Sequence, residues 1–255
     1  MLYRLTDPHK VQHLFAGWEE TMITSCLQQV MGTLWVTDPE TPQAACACVG
    51  CFVFYAGTPD RELAQYRPDG SGILVPQTEA WAALLAACHP HAKQFLRYAL
   101  RKDTVFDREK LTALAASLPA GYQLRRIDAA LYDLCLSQEA TKELVYVFDS
   151  REHYLRDGLG FVCLQNGTIL AGASSYSRYR EGIEIEVDTI PEARQKGLAT
   201  ACSAALILAC LDRGLYPSWD AQNLVSVHLA EKLGYRRSYD YLVYEVNERE
   251  FPRKR

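Results

Sequence analysis

Residues 190–210 read "IPEARQKGLATACSAALILAC", an apolar helix with an unusual start. The apolar run that begins at Gly197 spans about 15 residues, so it predicts a buried helix rather than a membrane span of 18 or more. We expect the helix to begin near Gln195, yet no Ser, Thr, Asp or Asn stands in the turn before it to cap its first N–H groups. Gly197 and Ala199 are small enough to let a bulky group approach that backbone, and Lys196 could add a charged contact.

Four interpretations of residues 187–200 compete. A mononucleotide-binding loop needs two glycines five positions apart followed by Lys and Ser or Thr, and a dinucleotide fingerprint needs Gly-x-Gly-x-x-Gly; neither spacing occurs here. A plain strand–turn–helix, buried for packing, is the third interpretation. In the fourth, the uncapped amides and the helix dipole bind a phosphate group.

Composition narrows the class of protein. The 255 residues carry a formal charge of −4 and are 49% apolar, which indicates a packed globular core without the basic footprint of a nucleic-acid-binding domain. The first residues show no apolar signal-peptide core, and nine cysteines is an odd number, so we expect reduced thiols and a cytoplasmic location. Cys46, Cys48 and Cys51 lack a second Cys/His pair at a zinc-binding spacing, so no metal is predicted.

The order of predicted elements suggests a boundary near residue 120. In the first half the patterns predict strands over 32–38, 44–57 and 73–76, a turn over 68–72, and helices over 78–103 (interrupted at His89-Pro90) and 107–118. In the second half they predict strands over 122–128, 182–190, 215–221 and 235–246, a hairpin over 160–179, and helices over 129–138, 150–158, 195–213 and 223–233. We therefore expect one central mixed sheet in the second half.

Two motifs of the second half resemble the GNAT superfamily of N-acetyltransferases. "VDTIPEARQKGLAT" (187–200) is similar to its acetyl-CoA-binding motif, with Arg194, Gly197 and Ala199 at the three defining positions. "NLVSVHLAEKLGY" (223–235) is similar to its second helix motif, and "GLYPSWDAQN" (214–223) resembles a bacterial GNAT acetyltransferase subgroup. The resemblance covers residues 120–247 well and the first half poorly.

The resemblance implies positions for the cosubstrate acetyl-CoA. The strand before the turn would pair its backbone with the pantetheine arm, and the turn with the first helical residues would hold the diphosphate. The residues implied in cofactor binding are Val187, Asp188, Thr189, Arg194, Gln195, Lys196, Gly197, Leu198, Ala199, Thr200, Asn223 and Ser226. Asn223 has an equally good interpretation as a helix N-cap.

The chemistry of amine acetylation needs a proton acceptor, because an ammonium group has no lone pair with which to attack a thioester. Glu184, Glu186 and Asp188 alternate along one strand and so share a face, where they would also attract a cationic amine. Glu184 and Glu186 are our candidates for the catalytic base; a solvated strand surface is the alternative. Many family members carry a Tyr that protonates the leaving thiolate, but the matching position here is Ala230. Either another group such as Tyr235, Tyr239 or Tyr241 replaces it, or coenzyme A leaves as an unaided thiolate, so the general acid is unassigned.

We therefore predict an α/β (α+β) fold with a GNAT-like mixed central sheet, flanked by helices, in residues 120–255. A smaller α/β lobe of unknown role, in residues 1–119, would cover the acceptor site or form a homodimer surface. The predicted activity is transfer of an acetyl group from acetyl-CoA to a primary amine of a small molecule, by direct attack in a ternary complex, with no nucleic-acid or membrane partner. The alternatives are an acetyltransferase acting on a protein amino group and a non-catalytic acyl-CoA-binding or regulatory module.

Overall fold

The chain divides into two compact units in the computed structural model, which describes residues 1–66 and 72–246. One unit comprises Met1–Arg97 with Asp240–Arg255, and the other comprises Tyr98–Tyr239. Of the turn predicted over 68–72, all but Gly72 lies outside the described residues. None of the described helices has the length and apolar character needed to cross a bilayer.

The first unit is built around a sheet of short strands. Its elements in chain order are β1 (Tyr3–Leu5), α1 (Thr21–Leu27), β2 (Thr33–Val36), β3 (Ala44–Val49), β4 (Phe52–Gly57), α2 (Arg61–Ala64), β5 (Gly72–Pro76), α3 (Glu79–Cys88) and β6 (Lys93–Leu100), which continues into the second unit. Strands β1 to β4 pair antiparallel in order, and β4 pairs with β5 in parallel. Trp81 and Tyr55 are fully buried in its core, and the Trp81 indole N–H donates to the Gly57 carbonyl at 2.8 Å.

The second unit carries the motifs described above. Its elements in chain order are α4 (Arg108–Ala115), β7 (Gln123–Arg126), α5 (Ala129–Ser137), α6 (Arg151–Asp157), β8 (Gly160–Gln165), β9 (Thr168–Tyr179), β10 (Gly182–Thr189), α7 (Leu198–Leu211), β11 (Tyr216–Ser218), β12 (Asp220–Ala221), α8 (Leu224–Leu233) and β13 (Arg237–Val246), which continues into the first unit. Five of these strands form a mixed sheet in the order β11-β10-β9-β8-β7, antiparallel except for the β10–β11 pair.

The two faces of this sheet are covered by different helices. Ala171 and Ala173 of β9 share one buried core with Ile183 of β10 and with apolar residues of α7. Because successive strand residues point to opposite faces, Gly172 lies on the other face. There Leu144, in a 3₁₀ turn (Lys142–Leu144), packs so closely that a Cβ at Gly172 would collide with it. The sheet therefore presents β10 to α7 on one face and to this 3₁₀ turn on the other.

Most local predictions for the second unit are confirmed. The hairpin β8–β9 turns at Asn166-Gly167, both with positive φ angles. Helices α4, α5 and α6 begin within one residue of the predicted starts, and side-chain oxygens of Asp107, Asp128 and Ser150 cap them. The two mixed sheets flanked by helices agree with the predicted fold class.

Several predictions of strands and helices need correction. The strand predicted over 44–57 is two strands, β3 and β4, which pair antiparallel on either side of a short turn. Residues 93–100 form strand β6 and not a helix, since α3 ends at Cys88, before the His89-Pro90 break, and Tyr98 and Ala99 pair with β12. The strand predicted over 215–221 divides at Trp219 into β11 and β12, which belong to different sheets. The closing strand β13 pairs with β5 and does not join the five-stranded sheet, so there are two sheets and not one.

The second compact unit begins at Tyr98, earlier than the boundary expected near residue 119. Helix α4 packs against α7, and its Leu111 is fully buried in the core of the second unit. Residues 98–119 therefore belong with the second unit, because their apolar side chains complete its core.

Candidate active site

Strands β10 and β11 separate after three residues. Their parallel pairing covers Gly182–Glu184 and Tyr216–Ser218, whereas β10 continues to Thr189 with β9 as its only strand partner in the described part of the chain. The register with β9 shifts between Glu184 and Ile185, as at a β-bulge. We call residues 185–189, which β11 does not cover, the open edge. Such an edge offers backbone N–H and C=O groups to an extended ligand.

The open edge contains the residues expected to contact pantetheine. The Val187 N–H donates to the Glu186 Oε1 at 3.2 Å, so this amide bonds to a side chain rather than to a strand. Asp188 and Thr189 pair with Gly172 and Ala171 of β9 and complete the strand. An extended molecule with amide groups could therefore bind along this edge by displacing the Glu186 carboxylate from the Val187 N–H.

The turn between β10 and α7 presents an exposed helix N-terminus. A 3₁₀ turn (Pro191–Ala193) leads to Gln195 and Gly197, which both adopt left-handed conformations with φ of 61° and 77°. Helix α7 then begins at Leu198, three residues later than expected, and in the described residues no side chain caps it. A Cβ at Gly197 would meet no atom within 4 Å. The prediction of an uncapped start is thus confirmed.

We call residues 194–200 the cradle. Its Arg194, Gln195 and Lys196 side chains are exposed, and Ala199 and Thr200 are half-buried in the first turn of α7. The first N–H groups of a helix, with the dipole behind them, attract an anion. The cradle therefore combines backbone donors, two exposed cations and free space above Gly197, which suits a phosphate-bearing group.

Asn223 and Ser226, the predicted site residues at the start of helix α8, make contacts that stabilise the fold. The Asn223 side chain accepts from the Ser226 N–H at 3.0 Å, which confirms its interpretation as an N-cap. The Ser226 Oγ accepts from the Trp219 indole N–H at 3.2 Å, which leaves the Ser226 hydroxyl hydrogen available to donate elsewhere. Both residues therefore stabilise α8, and Ser226 keeps one donor.

Ala230, at the position where the resemblance implies a Tyr, offers no group that could protonate the leaving thiolate. Ala230 is fully buried in the core beside Val227 and Leu233. The buried Tyr235 hydroxyl donates to the Pro217 carbonyl at 2.6 Å, and burial raises its pKa well above the usual value. Tyr235 is therefore a poor proton donor, and the general acid stays unassigned.

The three acidic residues of β10 lie on one face, opposite α7. Their partners on β9 are Ser177 for Glu184, Ser174 for Glu186 and Gly172 for Asp188. Glu184 is only 3% exposed, while Glu186 and Asp188 are half-buried. The acidic face therefore runs from a buried carboxylate at the base of the gap between β10 and β11 to more accessible ones on the open edge.

Asp188 faces a carboxylate that the sequence patterns did not single out. Burial, and next the nearby Glu143 carboxylate, raise the pKa of Asp188 to about 6. Burial also raises the pKa of Glu143, which lies in the 3₁₀ turn over the open edge. Glu143 belongs to "TKEL", a segment without periodicity or motif, so only the fold brings these two residues together.

Replacing Asp188 by Asn is expected to stabilise the protein at pH 7.5 and to stabilise it less at pH 4.5, which lies between the unfolded and folded pKa values of the carboxyl group. A carboxyl group whose folded pKa is raised binds its proton more tightly in the folded state, so stability falls as the pH rises between the two pKa values. The difference between about 6 and the usual 3.8 corresponds to roughly 3 kcal/mol at most. Urea unfolding at both pH values, with the exposed Asp149→Asn as control, tests this; equal destabilisation at both pH values would contradict it.

Three further polar residues meet at the base of the gap. Ser177 and Ser218 are the register partners of Glu184 on either side, and the Lys102 Nζ donates to the Ser218 Oγ at 2.8 Å. Sequence reasoning missed them because Lys102 and Ser218 are 116 positions apart and only the strand pairing joins them.

No metal centre is visible in residues 1–66 and 72–246, where no three His, Cys, Asp or Glu side chains are grouped to hold an ion. Cys46 and Cys48, considered above as zinc ligands, are buried in β3 with their sulfur atoms 3.9 Å apart. They pack into the core of the first unit.

The sequence model of one protein family, described as GNAT acetyltransferase, matches residues 12–244. The chain belongs to the GNAT acetyltransferase family. The match confirms the resemblance drawn from the two motifs of the second half. It also extends over most of the first half, where those motifs showed little resemblance, so the family's sequence pattern includes that half as well.

Solved and curated relatives agree with this membership. The crystal structure of a GCN5-related N-acetyltransferase-like protein from Streptococcus suis 89/1591 is 45% identical, with a TM-score of 0.92 over 94% of this chain and 98% of that one. The uncharacterized N-acetyltransferase YdfB of Bacillus subtilis (strain 168) is 30% identical over 131 residues, which are 50% of this chain and 49% of that protein. The chain thus matches about half the length of this curated relative. A GCN5-related N-acetyltransferase from Sphaerobacter thermophilus, 13% identical, shares the fold with a TM-score of 0.55 over 96% of this chain and 95% of that one.

Proposed function

We propose that the chain transfers the acetyl group of acetyl-CoA to a primary amine of a small molecule, in the cytoplasm. The observation that carries this proposal is the uncapped N-terminus of α7 at the end of an open strand edge. The diphosphate would bind to the cradle and the pantetheine arm would lie along the open edge. The thioester would then reach the base of the gap, where the buried Glu184 lies.

The cradle fits a diphosphate for physical reasons. Its N–H groups and helix dipole favour negative charge, and Lys196 and Arg194 can add charge-assisted hydrogen bonds. Gly197 keeps its left-handed conformation without strain and leaves the space above it open. These features support the assignment of Gln195 to Thr200 as diphosphate ligands.

The acidic face supports the acceptor side of the reaction. A cationic amine would be attracted by Glu184 and Glu186, and a carboxylate would take a proton from it, directly or through water. The neutral amine nitrogen would attack the thioester carbonyl carbon and the carbon–sulfur bond would break. Coenzyme A would leave as its thiolate, and the nitrogen would release its second proton to water. We propose Glu184 as the proton acceptor, because it lies where β10 and β11 separate.

The transition state and the leaving group need further partners. A backbone N–H of the open edge would donate to the developing oxyanion, which is the usual role of such a group. Because Ala230 offers no phenol, coenzyme A would leave without a dedicated acid.

Two other functions are the alternatives that the assay described below distinguishes. Ala230 favours a non-catalytic acyl-CoA-binding module, since a protein that needs no turnover needs no general acid. The acidic face would equally attract a lysine or N-terminal amine of a protein.

A thiol-release assay with acetyl-CoA and a panel of amines tests the function. The panel contains diamines, aromatic amines and amino acids beside lysine-containing peptides, and mass spectrometry identifies the acetylated product. The proposal predicts release that depends on a small amine. Release with peptides alone would favour a protein acceptor, and tight acetyl-CoA binding without any release would favour the module.

A further inference from the structure

Glu184 lies in a buried polar row that crosses three strands. Its register partners are Ser177 on β9 and Ser218 on β11, and residues in register point to the same face of a sheet. Ser177 and Ser218 are 0% exposed and Glu184 is 3% exposed. The Ser177 Oγ has no hydrogen-bond partner among the described residues. Such a row is costly to bury unless it is electrically balanced.

Lys102 brings a positive charge to one end of this row. Its Nζ donates to the Ser218 Oγ at 2.8 Å. The loop that carries it is held on both sides, because the Tyr216 hydroxyl donates to the Arg101 carbonyl at 3.1 Å and accepts from the Thr104 N–H at 3.3 Å. The ammonium is thus fixed by the fold beside the register partner of Glu184.

The direction of the Lys102–Ser218 hydrogen bond leaves the Ser218 hydroxyl hydrogen free to point at Glu184. A serine oxygen that accepts from an ammonium keeps its own hydrogen to donate. Glu184 is the residue across the strand pair on the same face. We propose that Lys102 is a positioning residue that, through Ser218, keeps the Glu184 carboxylate oriented and ionised at the base of the gap. This inference rests on the proposed function of Glu184 as proton acceptor.

The other groups near Glu184 do not supply this charge. Burial raises the pKa values of the Tyr179 and Tyr235 phenols, so both stay neutral at ordinary pH. Arg178 pairs with Ile183 of β10 and so lies on the opposite face of the sheet from Ser177 and Glu184. There its guanidinium donates to backbone carbonyls, including that of Gly182 at 2.6 Å. Among the other titratable groups of the surrounding segments, Arg101 pairs with Asp103 and Arg180 is exposed. The groups that bring no positive charge are Glu181, Glu186, Asp188, Tyr216 and Asp220.

Carbon-13 NMR of glutamate-labelled protein tests the proposal without requiring activity. The Glu184 carboxyl signal is assigned by its loss in Glu184→Gln, and its pKa is then measured in the wild type and in Lys102→Met. We expect the pKa to rise by about one unit, a tenfold weaker ionisation. Lys110→Met, at an exposed lysine of α4, is the matched control and should leave it unchanged. An unchanged pKa in Lys102→Met would overturn the proposal.

Two further variants keep the proposal testable even if Lys102→Met does not fold. Lys102→Arg keeps the positive charge, so the pKa of Glu184 should stay close to its wild-type value. Ser218→Ala removes the hydroxyl that Lys102 contacts, so the pKa of Glu184 should rise by part of the amount expected for Lys102→Met. If Lys102→Met does not fold, a Ser218→Ala titration identical to the wild type overturns the proposal.

The activity profile separates this proposal from the proposed function. In the thiol-release assay, the acidic limb of kcat/KM against pH should move up by the same amount in Lys102→Met, with KM for acetyl-CoA unchanged. A merely structural role would lower the rate at every pH. A wild type that releases no thiol with any amine would contradict the proposed function, while the NMR titration would still decide the role of Lys102.

Discussion

Gly197→Asp is expected to weaken acetyl-CoA binding at least a hundredfold in a protein that stays folded. The added carboxylate would stand in the free space above the cradle, where the diphosphate is proposed to bind. Two like charges about 4 Å apart repel by about 1 kcal/mol in water and about 4 kcal/mol near a protein surface. A hundredfold loss corresponds to about 2.8 kcal/mol, which lies within that range. The fold should persist because a Cβ at this position would meet no protein atom within 4 Å, and Asp tolerates the left-handed conformation better than most residues.

Gly197→Asn is the matched control for this variant. Asn has the same size as Asp, carries no charge and tolerates the left-handed conformation that Gly197 adopts, with φ of 77°. We expect it to lose less than about tenfold in affinity, so that the difference between the two variants measures charge. Isothermal titration with coenzyme A gives both affinities, and circular dichroism checks the fold. Wild-type affinity in a folded Gly197→Asp variant would remove the diphosphate from this turn.

Glu184→Gln is expected to lower kcat by about 10²–10⁴-fold with little change in acetyl-CoA affinity. Gln keeps the shape and hydrogen-bonding reach of the carboxylate but cannot accept the proton of the amine. The loss should shrink at high pH, where more of the amine is already neutral. The variant also removes a buried charge that is only 3% exposed, so its thermal unfolding should be measured beside the rate.

Glu186→Gln is the control on the same face of β10. Glu186 is half-buried, and its Oε1 accepts from the Val187 N–H, a role that an amide oxygen can keep. We expect a smaller loss of rate than in Glu184→Gln. A loss for Glu184→Gln that stays the same at all pH values would indicate that the carboxylate only positions the acceptor. Near-normal rates in both variants would show that the acidic face has no catalytic role.

Much of the candidate site could be predicted because its signals are local. The missing cap before Leu198, the N-cap at Asn223 and the alternation of Glu184, Glu186 and Asp188 each depend on neighbours within a few residues. Local backbone geometry governs capping and strand alternation, so the order of residues is enough to predict them.

The rest depends on pairing between distant segments. Residues 93–100 carry no signal that separates a strand from a helix until Tyr98 and Ala99 meet β12. The contact of Lys102 with Ser218, and the position of Glu143 near Asp188, follow from strand register and from the packing of a 3₁₀ turn. No spacing in the sequence encodes a register, because it is set by the whole buried face of the sheet.

The most direct test of the central claim is isothermal titration of the wild-type protein with acetyl-CoA, with pantetheine, which lacks the diphosphate, measured in parallel. We expect saturable binding of acetyl-CoA at one site per chain and much weaker binding of pantetheine, because the cradle would contribute affinity through the phosphates. Absence of heat with acetyl-CoA and with coenzyme A, or equal affinity for pantetheine, would contradict the proposed binding of the cosubstrate at the start of α7.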